Sequence, residues 1–296
     1  MFHPDLSARA RWLPRGIARP WSLPLLRGLF ALTGLGVRGL EHAPLDGCCV
    51  YVFRPASATE GRRAGLLWIH GGGLIMGDAR QDAPFLQRAA DALGIVITAV
   101  QYRVAPEQPF PIPLNDCEQA WRWLLGQPDV DAERVAVAGV SAGGGLAAAL
   151  CQRLRDQGEA PPALQLLVYP MLDDRSALGS GPLDAQLRVW DRRSNALGWD
   201  AYLRTVDRSK LPQHAVPARA EDLSGLPPAW IGVGTLDLFH DEDVAYAERL
   251  RAAGVPVELD RVEGAYHGFD AVDANAEVSR VFRERIIAAL RGSLCP

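Results

Sequence analysis

Short apolar runs alternate with longer amphipathic stretches along most of this chain of 296 residues. The apolar runs predict strands over Val37–Ala43, Cys48–Phe53, Leu66–Ile69, Ile95–Val100, Val135–Ala138, Leu164–Tyr169, Trp230–Val233 and Val257–Val262. The stretches between them predict helices over Gln81–Leu93, Leu114–Leu125, Gly144–Gln157, Asp241–Ala253 and Val278–Leu290. The first two strands flank the turn Pro44–Gly47 and should form a hairpin at one edge. The alternation predicts a wound α/β sheet whose central parallel strands are covered on both faces.

Two segments do not fit this alternation. The first carries six arginines and one acid, Asp5, within the first forty residues, and prolines at 14, 20 and 24 break it into short amphipathic helices. The second, from Asp173 to Ser224, is irregular and lies where insertions cover the ligand site of an open sheet. We therefore predict a single domain over residues 1–296 with cap elements from about 1–35 and 173–224. A peripheral membrane contact or an organellar transit peptide is the alternative for the first segment.

Both segments contain large apolar side chains that need burial. These are Trp12, Trp21, Leu25 and Phe30 in the first segment and Trp190, Trp199 and Tyr202 in the second. The simplest arrangement packs the two sets together over the mouth of the site.

Charge and composition exclude several classes of protein. The net charge of −4 provides no general attraction to nucleic acid, and the chain lacks the apolar run of about 18 residues that a membrane-spanning helix needs. None of the five cysteines forms a Cys-x-x-Cys pair, which favours free thiols in a reducing cytoplasm. The six histidines form no His-x-His or His-Glu-x-x-His motif, so we expect no catalytic metal and no cofactor.

The strongest chemical signal is Gly139-Val140-Ser141-Ala142-Gly143, between a predicted strand and an alanine-rich helix. A serine in such a strand–turn–helix context is exposed above the sheet, and its small neighbours let the flanking segments pass closely. The helix N-terminus can stabilise developing negative charge. The alternatives are a glycine turn with an idle serine or a phosphate-binding turn, although no G-K-[ST] or G-x-G-x-x-G pattern occurs here.

A glycine-rich loop, His70-Gly71-Gly72-Gly73, follows the predicted strand Leu66–Ile69. Acyl transfer places negative charge on the former carbonyl oxygen, and backbone N–H groups of a glycine loop can bind it without side chains intervening. This pattern resembles the oxyanion loop of lipases and esterases. We expect Ala142, next to the serine, to supply a further N–H, and we interpret His70 as support for the loop rather than as the catalytic base.

A serine hydroxyl needs a base to act as a nucleophile. Among the histidines after Ser141, His267 lies just past the last predicted strand, whereas His214 lies in the irregular segment. His240 begins the charged run His240-Asp241-Glu242-Asp243, which we interpret as a solvated helix start. We therefore predict His267 as the base, with a purely structural histidine as the alternative. Asp237 follows the penultimate strand and is the predicted acid. Its alternative is a helix cap, the role we assign to Asp241 and Asp243.

These motifs together resemble the bacterial hormone-sensitive-lipase-like esterases of the α/β-hydrolase superfamily. The resemblance rests on the glycine loop, the segment Tyr102–Pro111, the serine motif, the D-x-x-x-D-E segment from Asp237 and the His-Gly-Phe at His267, in the family's order. Within Tyr102–Pro111, Arg103 and Glu107 should form buried polar contacts.

The resemblance implies an α/β-hydrolase fold with about eight strands and a helical cap. It implies Ser141, Asp237 and His267 as a catalytic triad, with N–H groups of Gly71, Gly72 and Ala142 as the oxyanion hole. It also implies a homodimer paired through the last strand, Val257–Val262. Two positions differ from many members: Val140 replaces Asp or Thr, and Thr235 replaces a Glu that supports the acid loop.

The expected activity is hydrolysis of short- to medium-chain acyl esters through an acyl-enzyme, with a small-molecule ester as substrate and no cofactor. An amidase, carbamate or formamide hydrolase is an alternative because the same triad serves all acyl transfers. A ligand-binding receptor on this fold is a second alternative, but such proteins characteristically lose the base, and His267 is present.

Overall fold

The computed structural model describes residues 1–33, 40–56 and 61–295. One sheet has the strands β1 (Glu41–Pro44), β2 (Cys49–Phe53), β3 (Arg63–Ile69), β4 (Val96–Gln101), β5 (Val130–Val140), β6 (Gln165–Val168), β7 (Ala229–Gly234) and β8 (Val257–Val262). Their spatial order is β1-β2-β4-β3-β5-β6-β7-β8. The pairs β1·β2 and β2·β4 are antiparallel, whereas the other five pairs, from β4 across the sheet to β8, are parallel. The predicted hairpin and wound α/β sheet are therefore confirmed, and Val37–Gly39 of the first predicted strand lie outside the described residues.

The described α-helices are α1 (Pro4–Ala10), α2 (Leu23–Thr33), α3 (Ala83–Leu93), α4 (Ile112–Leu125), α5 (Ala142–Asp156), α6 (Arg192–Tyr202), α7 (His240–Ala252), α8 (Phe269–Val272) and α9 (Glu277–Leu294). Short 3₁₀ turns cover Asp174–Ala177 and Pro217–Arg219. No helix within the described ranges is both long enough and apolar enough to cross a bilayer.

Two apolar layers cover the sheet, because successive residues of a strand point to opposite faces. On β3, Leu67 and Ile69 belong to the layer that contains α4, α5 and α7, while Leu66 and Trp68 belong to the layer that contains α3 and α9. The central strands are buried along nearly their whole length. Burial on both faces explains why these strands are continuous apolar runs in the sequence.

The N-terminal segment packs on this core and on the segment between β6 and β7. The α1 helix buries Leu6 and Ala10. Beyond it, the Val189 amide donates to the Pro14 carbonyl at 2.9 Å, and the Ile17 amide donates to the Val189 carbonyl at 3.0 Å. The two irregular segments of the sequence are thus hydrogen-bonded to each other.

The predicted burial of the apolar side chains holds for one segment and fails in part for the other. Trp190, Trp199 and Tyr202 are buried. Trp12, Trp21 and Leu25, however, are 88%, 82% and 66% exposed, so the expectation that they pack over the mouth was wrong. On α2 the inward face consists of Leu23, Leu26 and Phe30, which are spaced three and four residues apart, and Leu25 therefore points away.

Candidate active site

The turn between β5 and α5 holds Ser141 in a strained conformation. Its φ of 55° is rare for a residue with a side chain. The Ser141 amide donates to the Val168 carbonyl at 2.8 Å, and the Ser141 carbonyl accepts from the Met171 amide at 2.9 Å. A Cβ on Gly139 would lie 2.1 Å from the Gly143 carbonyl oxygen. The glycines of the motif are therefore required for the close approach that presents the serine.

Ser141, His267 and Asp237 form a continuous hydrogen-bonded chain. Ser141 Oγ lies 3.0 Å from His267 Nε2, and His267 Nδ1 lies 2.8 Å from Asp237 Oδ2. One tautomer satisfies both contacts: Nδ1–H donates to the carboxylate, and Nε2 accepts from the serine hydroxyl. All three residues are almost fully buried. The structure thus brings together the three side chains predicted as the triad, although they are distant in sequence.

The loops after β7 and β8 position the acid and the base. Asp237 Oδ1 accepts a hydrogen bond from the Phe239 amide at 2.9 Å, which fixes the carboxylate. Thr235 stands where many relatives have Glu, and its hydroxyl accepts from the Gly264 amide at 2.9 Å. The Leu236 amide donates to the Ala265 carbonyl at 3.0 Å. Both contacts join the acid loop to the histidine loop, so the departure at Thr235 leaves the acid loop supported.

The glycine loop lies beside the serine. A Cβ on Gly71 would be 3.4 Å from Ser141 Cβ, and a Cβ on Gly72 would be 2.0 Å from the Met76 carbonyl oxygen. Gly72 also has a φ of 126°, which favours glycine. Ala142 is the first residue of α5, and its amide has no partner within the helix because the first amides of a helix never do. The glycine loop and the N-terminus of α5 therefore both lie beside the serine.

His70 supports the glycine loop, as its sequence position predicts. Its Nδ1 donates to the Gly71 carbonyl at 2.7 Å, and its ring stacks on Tyr102 with centroids 4.2 Å apart. Burial lowers the pKa of His70 to about 4, so the ring is neutral at physiological pH. No hydrogen bond joins the Ser141 hydroxyl to His70 or to His214, which binds Asp156.

The segment Tyr102–Pro111 makes the polar contacts predicted for Arg103 and Glu107, but with different surroundings. Arg103 binds the buried carboxylate of Asp116, with contacts of 2.6 and 3.0 Å. Glu107 is exposed and pairs with Arg27 of α2 at 2.8 Å, and that pair lowers the pKa of Glu107 to about 2. The contact between Arg103 and Asp116 is buried only at the Asp116 carboxylate. The predicted burial of the Glu107 contact was wrong, because Glu107 lies at the surface, where it pairs with Arg27.

Two acids at the start of α7 were wrongly predicted to be solvated. Asp241 is 93% exposed, but Glu242 is 8% exposed and Asp243 is fully buried. Successive helical residues differ by about 100° in direction, so one acid of the run faces solvent while the next two face the core. Glu242 Oε1 accepts from the amides of Leu172 and Asp173 at 2.6 and 3.1 Å, and Oε2 accepts from the Ser176 hydroxyl. Glu242 therefore anchors the chain that follows β6.

A cavity of about 320 Å³ opens at Ser141. Trp190 covers the glycine loop: a Cβ on Gly73 would lie 2.1 Å from its ring. Tyr169 and Phe239 pack edge-on against the His267 ring, with centroid distances of 4.8 and 5.1 Å. The cavity is also lined by three charged residues that sequence reasoning missed: Asp82, Asp270 and Arg283. Only Asp270 carried a sequence signal, since it follows the His-Gly-Phe motif directly.

Comparison with known proteins agrees with this geometry. A family model described as "alpha/beta hydrolase fold" matches residues 66–271. The chain is 36% identical over 241 residues to esterase LipI of Mycobacterium tuberculosis, covering 80% of this chain and 75% of LipI. It is 37% identical over 210 residues to carboxylesterase NlhH of the same species, covering 69% of this chain and 66% of NlhH.

A solved structure of similar fold is titled "Bacterial Heroin Esterase". It matches with a TM-score of 0.89 and 35% identity and covers 100% of this chain and 98% of its own. The chain therefore belongs to the hormone-sensitive-lipase-like esterases of the α/β-hydrolase superfamily, which are carboxylic-ester hydrolases.

Proposed function

We propose that Ser141 is the nucleophile, His267 the general base and Asp237 the orienting acid of this esterase. The observation that carries the proposal is the chain of contacts at 3.0 and 2.8 Å from the Ser141 hydroxyl to the Asp237 carboxylate. Ser141 Oγ attacks the ester carbonyl carbon while His267 Nε2 takes its proton. Asp237 holds the imidazole in the required tautomer and stabilises its charged form.

The amides of Gly71, Gly72 and Ala142 are proposed to bind the oxygen of the tetrahedral intermediate. Their position beside Ser141 supports this role, and such preorganised donors need no rearrangement as charge develops. When the intermediate collapses, His267 returns the proton to the leaving alcohol and an acyl-enzyme remains on Ser141. Water that is deprotonated by His267 then attacks the acyl carbonyl and releases the carboxylic acid.

The proposed substrates are small carboxylic esters with short to medium acyl chains. Support comes from the limited cavity of about 320 Å³, which is covered by Trp190 and narrowed by apolar side chains such as Ile17 and Phe30. Residues 1–33 and 173–224 would act together as the cap that encloses this cavity. We expect no activation at an oil–water interface.

A series of chromogenic esters with increasing acyl length tests this proposal, with a matched amide as comparison. We expect kcat/KM to peak at a short or medium chain and the amide to be turned over far more slowly. Ser141→Ala should show no turnover with any ester. A peak at long chains would contradict the cap proposal, and equal turnover of ester and amide would contradict the ester preference.

We propose two further properties. The outer edge of β8 pairs with no other strand of the described chain and could pair with β8 of a second copy, giving a homodimer. All five cysteines are free thiols, which favours a cytoplasmic location. Sedimentation velocity at several protein concentrations tests the first proposal, and a species with the mass of one chain throughout would contradict it.

A further inference from the structure

One part of the catalytic cavity is polar and acidic. Asp82 precedes α3, Asp270 lies in α8 and Arg283 lies in α9, and all three line the cavity that contains Ser141. Both carboxylate oxygens of Asp270 accept hydrogen bonds. Its Oδ1 accepts from the Tyr169 hydroxyl at 2.7 Å, and its Oδ2 accepts from Arg283 Nε at 3.0 Å. The cavity therefore has two carboxylates and one guanidinium, and the guanidinium is hydrogen-bonded to Asp270. The group carries a net negative charge.

Asp82 has one hydrogen-bonded and one unbonded carboxylate oxygen among the described residues. Its Oδ2 accepts a hydrogen bond from Trp68 Nε1 at 2.9 Å, while its Oδ1 accepts none from the described residues. An Asp just before a helix ordinarily caps the first amides of that helix. Asp82 makes no such hydrogen bond to α3, and its side chain is directed instead at Trp68 and the cavity. A polar acceptor held in this way at a ligand cavity fits recognition rather than helix capping.

We propose that Asp82 is a specificity-determining residue, whose free Oδ1 accepts a hydrogen bond from a donor group on the ester, either an ammonium or a hydroxyl. The proposal rests on the proposed function, because it places the ester carbonyl at Ser141 and the donor in the polar part of the same cavity. The uncompensated negative charge favours the ammonium over the hydroxyl.

The protonation state of Asp82 is consistent with this role. Burial, and then the charge of Asp270, raise the pKa of Asp82 to about 6, although the Trp68 hydrogen bond and Arg283 oppose the shift. Asp82 is therefore mostly ionised at neutral pH. The other titratable or charged groups at the cavity are Asp270 and Arg283, which bind each other, His267, and Tyr169, whose pKa burial raises further above its usual value.

Three isosteric esters test the proposal: a medium-chain methyl alkanoate and its analogues in which the terminal methyl is a hydroxyl or an ammonium. A second set carries the same groups at the end of the alcohol chain of an acetate ester. We expect at least one set to show kcat/KM about tenfold or more higher for the ammonium ester than for the alkyl ester. Asp82→Asn should remove this preference, because it keeps the size of the side chain but loses the charge.

Asp91→Asn is the matched control, since Asp91 lies on the exposed side of α3 and, within the part of the chain that the structure describes, accepts hydrogen bonds from the Ala56 amide and Gln87. This variant should keep the preference. In the wild type, kcat/KM for the ammonium ester divided by kcat/KM for the alkyl ester should fall as the pH is lowered through about 6, because Asp82 then becomes protonated and loses its charge. The triad affects both substrates alike, so this ratio reports Asp82 and needs no variant.

The proposal is overturned if the wild type shows no preference for donor-bearing esters, or if Asp82→Asn keeps it. It is also overturned if an isostere with a terminal carboxylate is preferred, because Arg283 would then be the recognition group. The alkyl ester separates these outcomes from failure of the proposed function: turnover of that ester by Ser141→Ala would refute the nucleophile, whatever the ratio.

Discussion

The Arg19 guanidinium binds the Asp191 carboxylate with two hydrogen bonds, at 2.6 and 3.1 Å, although the residues are 172 positions apart. Arg19 also donates to Ser194 Oγ at 2.8 Å. The pair joins the N-terminal segment to the start of α6. Both segments contribute side chains to the cavity at Ser141, namely Ile17 and Phe30 from one and Val189 and Trp190 from the other.

Removal of this connection should affect both stability and selectivity. We expect Arg19→Ala to lower the free energy of unfolding by about 1–3 kcal/mol, because it leaves the partly buried Asp191 carboxylate without its partner. It should also flatten the preference for acyl length. Arg15→Ala is the matched control, since Arg15 is exposed, and should change neither quantity. Urea denaturation and the ester series provide the measurements.

Deletion of the first thirty residues is the stronger form of this test. The truncated chain would lose Leu6, Ala10 and Ala18 from the core, so we expect lower stability and a more open cavity while the triad remains. If the truncated protein retains full activity, stability and selectivity, the segment is a targeting or membrane-contact peptide and not part of a cap.

The role of Asp237 predicts a large loss of turnover for Asp237→Asn. The amide can present its NH₂ group to His267 Nδ1 and favour the wrong tautomer, so kcat should fall on the order of 10⁴-fold. Asp241→Asn is the control, because the Asp241 side chain is 93% exposed and its one side-chain hydrogen bond among the described residues is to His240. A comparable loss from the control, with Asp237→Asn nearly active, would move the acid role to Asp241.

Glu242 should matter for stability rather than for the chemical step. Glu242→Ala leaves the buried amides of Leu172 and Asp173 and the Ser176 hydroxyl without their acceptor. We expect a loss of about 2–4 kcal/mol in the free energy of unfolding. Glu248→Ala, on the exposed side of α7, should cost less than ~0.5 kcal/mol. Equal effects of the two variants in urea denaturation would refute the anchoring role.

Asp243 should make stability depend on pH. Neither of its carboxylate oxygens has a hydrogen-bond partner among the described residues, and burial, with the charges of Glu242 and Asp237, raises its pKa well above the ordinary value. The ordinary pKa applies to Asp243 in the unfolded chain, and the raised pKa applies to it in the folded chain. At a pH between these two values the folded chain holds a proton that the unfolded chain has lost. The contribution of Asp243 to stability is therefore lost as the pH rises above about 4.

Asp243→Asn cannot ionise and lacks this dependence. The difference in unfolding free energy between variant and wild type should shift in favour of the variant by up to about 1.4 kcal/mol per pH unit across that window. Urea denaturation at a series of pH values measures this slope. A difference that stays constant with pH would show that Asp243 keeps its ordinary pKa in the folded chain.

Much of the fold could be predicted because central parallel strands are apolar on both faces. The pattern misplaced strand ends where polar residues continue a ladder: β5 begins at Val130, whereas the apolar run begins at Val135. The same limit explains the misassigned acids of α7. Glu242 and Asp243 are buried by elements distant in sequence, and no local pattern distinguishes them from solvated helix-start acids such as Asp241.

The candidate site divides in a similar way. Ser141, Asp237, His267 and the glycine loop were predictable because their positions at strand ends bring them to one edge of a parallel sheet. Asp82 lies within a predicted helix, and Arg283 lies in an amphipathic one. Their place at the cavity depends on how α3 and α9 pack, which hydrophobic periodicity does not specify.

Covalent labelling tests the central claim most directly. A phosphonate ester that mimics the tetrahedral intermediate should react once per chain, and peptide mass spectrometry should locate the adduct on Ser141. Loss of ester hydrolysis should parallel labelling, and Ser141→Ala should neither react nor turn over substrate while remaining folded by circular dichroism. An adduct on another residue that accounts for the inactivation, or hydrolysis by folded Ser141→Ala at the wild-type rate, would contradict the account.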